Sequence, residues 1–170
     1  MNALEFITAI KALIPSKNVF CNFPVDFVNL YISQLSIEKK HNTFTVSPEN
    51  AVIDLVLNYN VSKLSIGIFS FNEELKENDY YIYFGTREAF PIAISKQTKE
   101  IVEIDWADES RIVSFIAKDQ QSYLTLLTNI EKLNQQQMFG IIDRNKYKEQ
   151  VAALYNIAGG IKYKNQLEDL

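Results

Sequence analysis

The chain has 170 residues, 47% of them hydrophobic, 22% charged and 12% aromatic, with a formal net charge of −4. That length and balance describe one domain with a core of its own, and the few glycines and prolines leave little room for long flexible linkers. The negative charge argues against a nucleic-acid binder, whose phosphate partner needs a basic surface, and one cysteine excludes an intrachain disulfide framework or a multi-cysteine zinc site.

Leu4, Ile7, Ile10 and Ile14 keep helical spacing up to Pro15, and this predicts a first helix. Glu5 and Lys11 interrupt its apolar pattern, so the segment reads as an amphipathic helix and not as a signal peptide. No run approaches the length of a membrane span, and a cytoplasmic location is the expectation. A second helix is predicted over residues 24–35, with Asn22 as cap, Pro24 in the first turn and Phe27, Leu30, Tyr31 and Leu35 on one face. Residues 37–42 read as a polar loop and 43–46 as a short strand. Ser47-Pro48-Glu49 has the chemistry of a helix start, with Ala51, Val52, Leu55 and Val56 as the buried stripe; the same apolar run is compatible with a strand.

Leu64, Ile66 and Ile68 alternate as a strand through Phe71, and the charged stretch 72–79 reads as a hairpin loop. Residues 80–106 carry the clearest signal. Tyr80, Ile82 and Phe84, then Phe90, Ile92 and Ile94, then Val102, Ile104 and Trp106 give a period of two over three neighbouring runs, an antiparallel meander with one buried face. Residues 112–117 form a further strand. Asp119 caps a helix to about Leu133 with Tyr123, Leu127 and Ile130 inward, and 134–137 is a polar tail. A last helix over 145–158 turns Tyr147, Val151, Leu154 and Ala158 inward and ends at Gly159-Gly160. The predicted fold is α+β: a twisted antiparallel sheet of about five to six strands, with helices from both ends of the chain on one face and the other face free. Residues 1–170 form a single domain in which 140–170 is a C-terminal helical extension.

No catalytic constellation is attached to this frame. His41 is the single histidine and lies in a polar loop, without ligand spacing for a metal. Cys21, between Phe20 and Phe23, reads as a small core hydrophobe. The chain has no phosphate-binding glycine loop and no nucleophile elbow. No cofactor and no metal are therefore expected. Acids do cluster in the EIVEIDWADES stretch: Glu103, Asp105, Asp108 and Glu109 surround Trp106. Glu103 and Asp105 would stand about 7 Å apart on one strand face, a spacing that could suit acid–base hydrolysis only with burial and a shaped cavity. The alternatives are a solvated edge with Trp106 packed inward beside Val102 and Ile104, which the periodicity favours, and a protein-binding spot in which Trp106 anchors and the carboxylates steer a basic partner.

Three stretches carry a family likeness: FPVDFVNLYISQ at 23–34, YYIYFGTREAFPIAISKQTKEIVEID at 80–105, and SRIVSFIAKDQQSYLTLL at 110–127. Together they resemble the early helix, the central hairpin and the final strand and helix of the SUKH superfamily, which includes Smi/Knr-type regulators of cell-wall synthesis and many bacterial immunity proteins. Two departures stand out. Ser33-Gln34 occupies the place of a frequent glycine pair, and Gly85 is alone in GTREA. The resemblance implies a non-enzymatic immunity protein that binds and neutralises a cognate protein toxin, a basic nuclease for example. The partner contacts would be Glu103, Asp105, Trp106, Asp108 and Glu109. The alternative it implies is a Smi/Knr-like regulatory or scaffold protein; a carboxylate hydrolase ranks third.

Overall fold

The computed structural model describes residues 1–168 and begins with α1 (Ala3–Leu13). Asn2 Oδ1 accepts from the Glu5 amide at 2.9 Å, and Glu5 Oε2 accepts from the Asn2 amide at 2.8 Å, a reciprocal cap that satisfies two otherwise orphan donors. The buried face is Ala3, Phe6, Ile7 and Ile10. Leu4, part of the predicted stripe, is 63% exposed, because Phe6 fills the core in its place. A 3-10 turn (Lys17–Phe20) leads to α2 (Val25–Leu35), which has Pro24 at its cap position and no side-chain cap from Asn22. This helix buries only Val28 and Leu35; Phe27 and Leu30, predicted to face inward, are exposed. Cys21 is exposed as well, and is not the core residue expected.

The segment expected to be a loop after α2 forms β1 (Glu38–Lys39). No strand forms over 43–46. Instead the Asn58 side chain stands in for a neighbouring strand: its Oδ1 accepts from the Phe44 amide at 2.6 Å and its Nδ2 donates to the Phe44 carbonyl at 2.9 Å. The run 51–58 is a helix and not a strand. This helix, α3 (Ala51–Asn58), starts after a turn in which the Asn50 amide donates to the Ser47 carbonyl at 2.9 Å, so the Ser-Pro-Glu signal lies outside it. Its buried residues include the predicted Ala51, Val52, Leu55 and Val56. β2 (Tyr59–Asn60) pairs antiparallel with β1.

The meander follows in strict chain order: β3 (Ser65–Ile66), β4 (Phe69–Glu77), β5 (Tyr81–Arg87), β6 (Phe90–Ser95), β7 (Ile101–Ile104) and β8 (Ile112–Ala117), six antiparallel neighbours. The turn Gly67-Ile68 divides the single strand predicted over 64–71. The charged stretch expected as a loop belongs to β4, and the chain reverses at 78–80, where Asn78 Oδ1 accepts from the amides of Tyr80 and Tyr81 at 2.9 and 2.8 Å. Phe69, Phe71, Phe84, Ile92, Ile94 and Ile101 face the helices. Gly85 permits a close approach of β4 and β5: a Cβ there would lie 2.2 Å from the Ser70 carbonyl oxygen, so no side chain fits without moving backbone.

α4 (Gln120–Met138) starts at Asp119, whose Oδ1 accepts from the Ser122 amide at 2.7 Å, and runs straight through the stretch predicted as a polar tail. The predicted last helix breaks at Leu154 into α5 (Arg144–Ala153) and α6 (Tyr155–Ala158), while Tyr147, Val151, Leu154 and Ala158 are all buried as expected. Gly159, at φ 128°, ends it, and the amides of Gly159 and Gly160 donate to the Tyr155 carbonyl at 3.1 and 2.8 Å. A 3-10 turn (Ile161–Tyr163) and α7 (Asn165–Glu168) return the chain to β8. Tyr163 and Leu167 belong to the same hydrophobic cluster as Phe6 and Tyr123, so this end of the chain shares the core. The last two positions of the predicted 140–170 extension lie outside the described residues.

One side chain joins α3 to α4. Gln120 is 4% exposed; its Oε1 accepts from the amides of Val52 and Ile53 at 2.9 and 3.2 Å, and its Nε2 donates to Asn50 Oδ1 at 3.3 Å. It supplies the acceptor that α3 lacks locally. Replacing Gln120 with Ala leaves these amides without a partner and is expected to lower unfolding free energy by about 2 kcal/mol. Tyr123 presents the opposite case: its hydroxyl is fully buried and finds no hydrogen-bond partner among the described residues. Tyr123→Phe is expected to be neutral, or to raise stability by up to about 1 kcal/mol. Urea unfolding of both variants checks the pair of expectations.

Candidate protein-binding surface

The acid-rich stretch singled out in the sequence divides at the end of β7. Inside the strand, Glu103 is 1% exposed and stands across from Ile92 on the helix-facing side of the sheet. Ser114 Oγ donates to its Oε2 at 2.6 Å, and Arg87 Nη1 lies 3.3 and 3.4 Å from its two oxygens. This carboxylate is neutralised within the fold, and the expectation that it lies on an exposed edge is corrected. Ile92 and Ile101 pull that face of β7 into the core, and Arg87 supplies the charge that burial then requires.

Beyond Ile104 the chain turns. Asp105 Oδ1 accepts from the Ala107 amide at 2.9 Å, and Asp108 Oδ1 accepts from the Ser110 amide and hydroxyl at 3.0 and 2.6 Å. The Arg111 amide donates to the Asp108 carbonyl at 2.9 Å, the Asp105 amide to the Arg111 carbonyl at 3.0 Å, and Arg111 Nη1 sits 3.6 Å from Asp105 Oδ2. Two aspartates thus write the turn through short side-chain-to-backbone bonds. The hydrogen bonds from Ser110 hold the Asp108 carboxyl below its ordinary pKa. Val102 and Ile104, which the alternation placed on one buried face with Ile92 and Ile94, belong instead to a cluster on the opposite face of the sheet, because register sets Glu103, not Val102, beside Ile92. Trp106, expected to pack inward with them, rides on this turn at 73% exposure. The period of two ends with the strand, and the turn at Asp105 rotates the indole into water.

Glu109 fixes the loop to the rest of the fold. Its Oε2 accepts from Asn78 Nδ2 at 2.8 Å, and the same amide lies 3.2 Å from the Tyr83 hydroxyl. Burial, with the nearby Glu109 charge adding to it, pushes the Tyr83 hydroxyl up from its ordinary pKa. The loop between β7 and β8 therefore reaches the β4–β5 turn, where Tyr80 stands 70% exposed. Asn78, Tyr83 and Glu109 also line a shallow groove of about 390 Å³ with Lys76, Thr86 and Pro91. Tyr80, which the alternation placed on the buried face with Ile82 and Phe84, stands in water instead, because β5 begins only at Tyr81. Asn78 and Tyr83 were not singled out in the sequence; the Asn78-Asp79 pair is a recognisable turn signal, but nothing local ties it to Glu109.

The sheet face away from the helices is not bare, contrary to expectation. Tyr81, Ala93, Val102 and Ile104 form a second, smaller cluster there, joined by Tyr83, Ile112 and Phe115. The Lys162 ammonium stands 3.8 Å from the centre of the Phe115 ring and pairs with Glu100, which also accepts from the Tyr163 hydroxyl at 2.6 Å. The loop set Trp106, Asp108 and Glu109, with Tyr80, stands open to a partner beside this cluster. The carboxylate pair considered for acid–base chemistry is separated, with Glu103 held by Arg87 and Ser114, and Asp105 by Arg111 and Ala107. His41 is exposed, and among the described residues no group of three or more His, Cys, Asp or Glu side chains is placed to hold a metal. No described helix is long and apolar enough to cross a membrane.

Comparison of the chain with protein-family models, with curated proteins and with solved structures finds no match.

The division between Glu103 and its exposed neighbours has a measurable consequence. Glu103→Ala removes one partner of a buried ion pair and is expected to lower stability by about 3 kcal/mol. Trp106→Ala, on a water-exposed turn held by other residues, is expected to change it by less than about 0.5 kcal/mol. Chemical denaturation of the two variants side by side reads the difference.

Proposed function

We propose that this chain is a protein-binding module whose role is to neutralise a cognate protein toxin, with the loop between β7 and β8 as its contact element. The observation that carries the reading is the exposed Trp106, set beside Asp108 and Glu109 on a loop whose shape is already fixed by its own hydrogen bonds. A large aromatic anchor on a pre-ordered loop binds with little loss of conformational freedom. Carboxylates at its rim, in a chain of net charge −4, attract a basic partner and speed encounter. Tyr80 extends the same surface. Glu103, named among the contacts from sequence, serves the fold in this reading and meets no partner. The likeness of residues 23–127 to the SUKH superfamily supports an immunity role.

The exposed apolar residues of α2 favour a second reading, a regulatory scaffold of the Smi/Knr kind. Val25, Phe27 and Leu30 offer another contact surface on a helix bonded to α4 through Tyr31 and Glu131. A scaffold that holds two partners needs two such surfaces.

Co-expression with the product of the adjacent gene, scored as rescue of growth, tests the immunity reading. Rescue supports it; intact toxicity together with capture of cell-envelope enzymes favours the scaffold. For the toxin complex, Trp106→Ala is expected to weaken affinity at least tenfold, about 1.4 kcal/mol. The double charge reversal Asp108→Lys with Glu109→Lys is expected to slow association and flatten its dependence on salt. Unchanged affinity in both variants, measured by surface plasmon resonance, would remove the loop from the interface.

A further inference from the structure

Glu131 lies in the middle of α4 at 2% exposure. Its Oε1 accepts from the Tyr31 hydroxyl of α2 in a short bond and from Gln135 Nε2 at 3.1 Å. Asn134 faces it from its own helix, and Tyr147 of α5, whose hydroxyl donates to Asn134 Oδ1 at 2.7 Å, completes the surroundings. None of the ion pairs among the described residues includes Glu131. A buried carboxyl among amides and phenols, with no cation beside it among the described residues, is costly to ionise.

The helix it holds is otherwise lightly seated. α2 buries only Val28 and Leu35 and leaves Val25, Phe27 and Leu30 in water. Its remaining attachment is aromatic: Phe23, Phe27 and Tyr31 stack in series, at centroid distances of 5.4 and 6.1 Å, and Phe20 sits edge-on to Tyr31 and to Phe139 at 5.8 and 5.3 Å. The Tyr31–Glu131 bond is the polar contact at the centre of this seat.

We propose that the Tyr31–Glu131 contact is a proton-operated clasp, which holds α2 on α4 while Glu131 is protonated and loosens it when Glu131 ionises. Burial places the seated carboxyl above its ordinary pKa, against the pull of hydrogen bonds from Tyr31, Gln135 and Asn134. Burial also raises the Tyr31 hydroxyl, so it stays a donor throughout. Lifting α2 returns Glu131 to water and to the ordinary carboxyl value. Seating therefore takes up a proton. It is strongest below the ordinary carboxyl range and weakens as pH rises toward the raised value. Within that window the population of lifted α2 grows with pH, with about tenfold per unit, the slope of one fully linked proton, as its upper bound. Lifting uncovers Phe20, Phe23 and Phe139, so the clasp ties an apolar surface to the acidity of the medium.

Native-state amide hydrogen exchange between pH 4 and pH 8, corrected for the intrinsic chemical rate, tests this. The expected result is opening of α2 that rises with pH while the α4 amides around Leu124 and Leu127 keep their own, flatter profile. Glu131→Gln, neutral at every pH, is expected to remove the slope in α2. Tyr31→Phe is expected to raise opening of α2 at every pH, and serves as the second variant should Glu131→Gln fail to fold. A common profile for α2 and α4, a slope retained in Glu131→Gln, or unchanged opening in Tyr31→Phe would each overturn the proposal.

Discussion

The carboxamide of Gln120 sets the relation between the two helices that cover most of the sheet. α3 emerges from a turn with no local side chain to receive its first amides, and an uncapped buried helix end is costly. Gln120 reaches them from the first position of α4, which Asp119 has already capped from its own side. Two helix starts separated by some seventy positions are thereby locked at one point. α4 is also the element on which α1, α5 and α6 rest, so the position of that point carries through to both ends of the chain. Tyr123, one turn further along, enters the middle of the sheet between Phe69, Phe71 and Phe84.

The sheet sorts charge by depth. On the helix-facing side, Glu103 is enclosed and answered by Arg87 and Ser114. On the outer side lies a small apolar cluster, and Asp105 and Asp108 stand where the backbone turns after β7. The same EIVEIDWADES sequence thus supplies a structural carboxylate, two turn-forming carboxylates and a tethering one within seven positions. Each role follows from the neighbours each acid meets: across the sheet for Glu103, two residues on for Asp105 and Asp108, and in the β4–β5 turn for Glu109.

What could be read in the sequence was whatever the chain states locally. The alternation of Ile92 and Ile94, the cap at Asp119, the inward set of α4 and the Gly159-Gly160 stop each depend on residues a few positions apart, and the structure bears them out. The misread elements depended on distant partners. β1 exists because β2 lies beside it, and 43–46 is not a strand because the Asn58 amide takes the place of one. β4 extends through charged residues because β5 pairs with Lys76 and Glu77. In the candidate surface, Asp108 and Glu109 were legible as acids in a turn, but the burial of Glu103 required Arg87, and the outward Trp106 required knowing that the strand stops at Ile104. Cys21 was assigned to the interior on residue type and Leu30 on helical spacing, and both face water.

Trp106 is the only indole in the chain, and it already stands in water when the protein is folded. Its emission should therefore be that of a solvated indole in the native and the denatured chain alike, which makes intrinsic fluorescence a poor monitor of denaturation here. The same placement turns it into a clean optical gauge of coverage: a blue shift can arise only when something settles over the tip of that one loop.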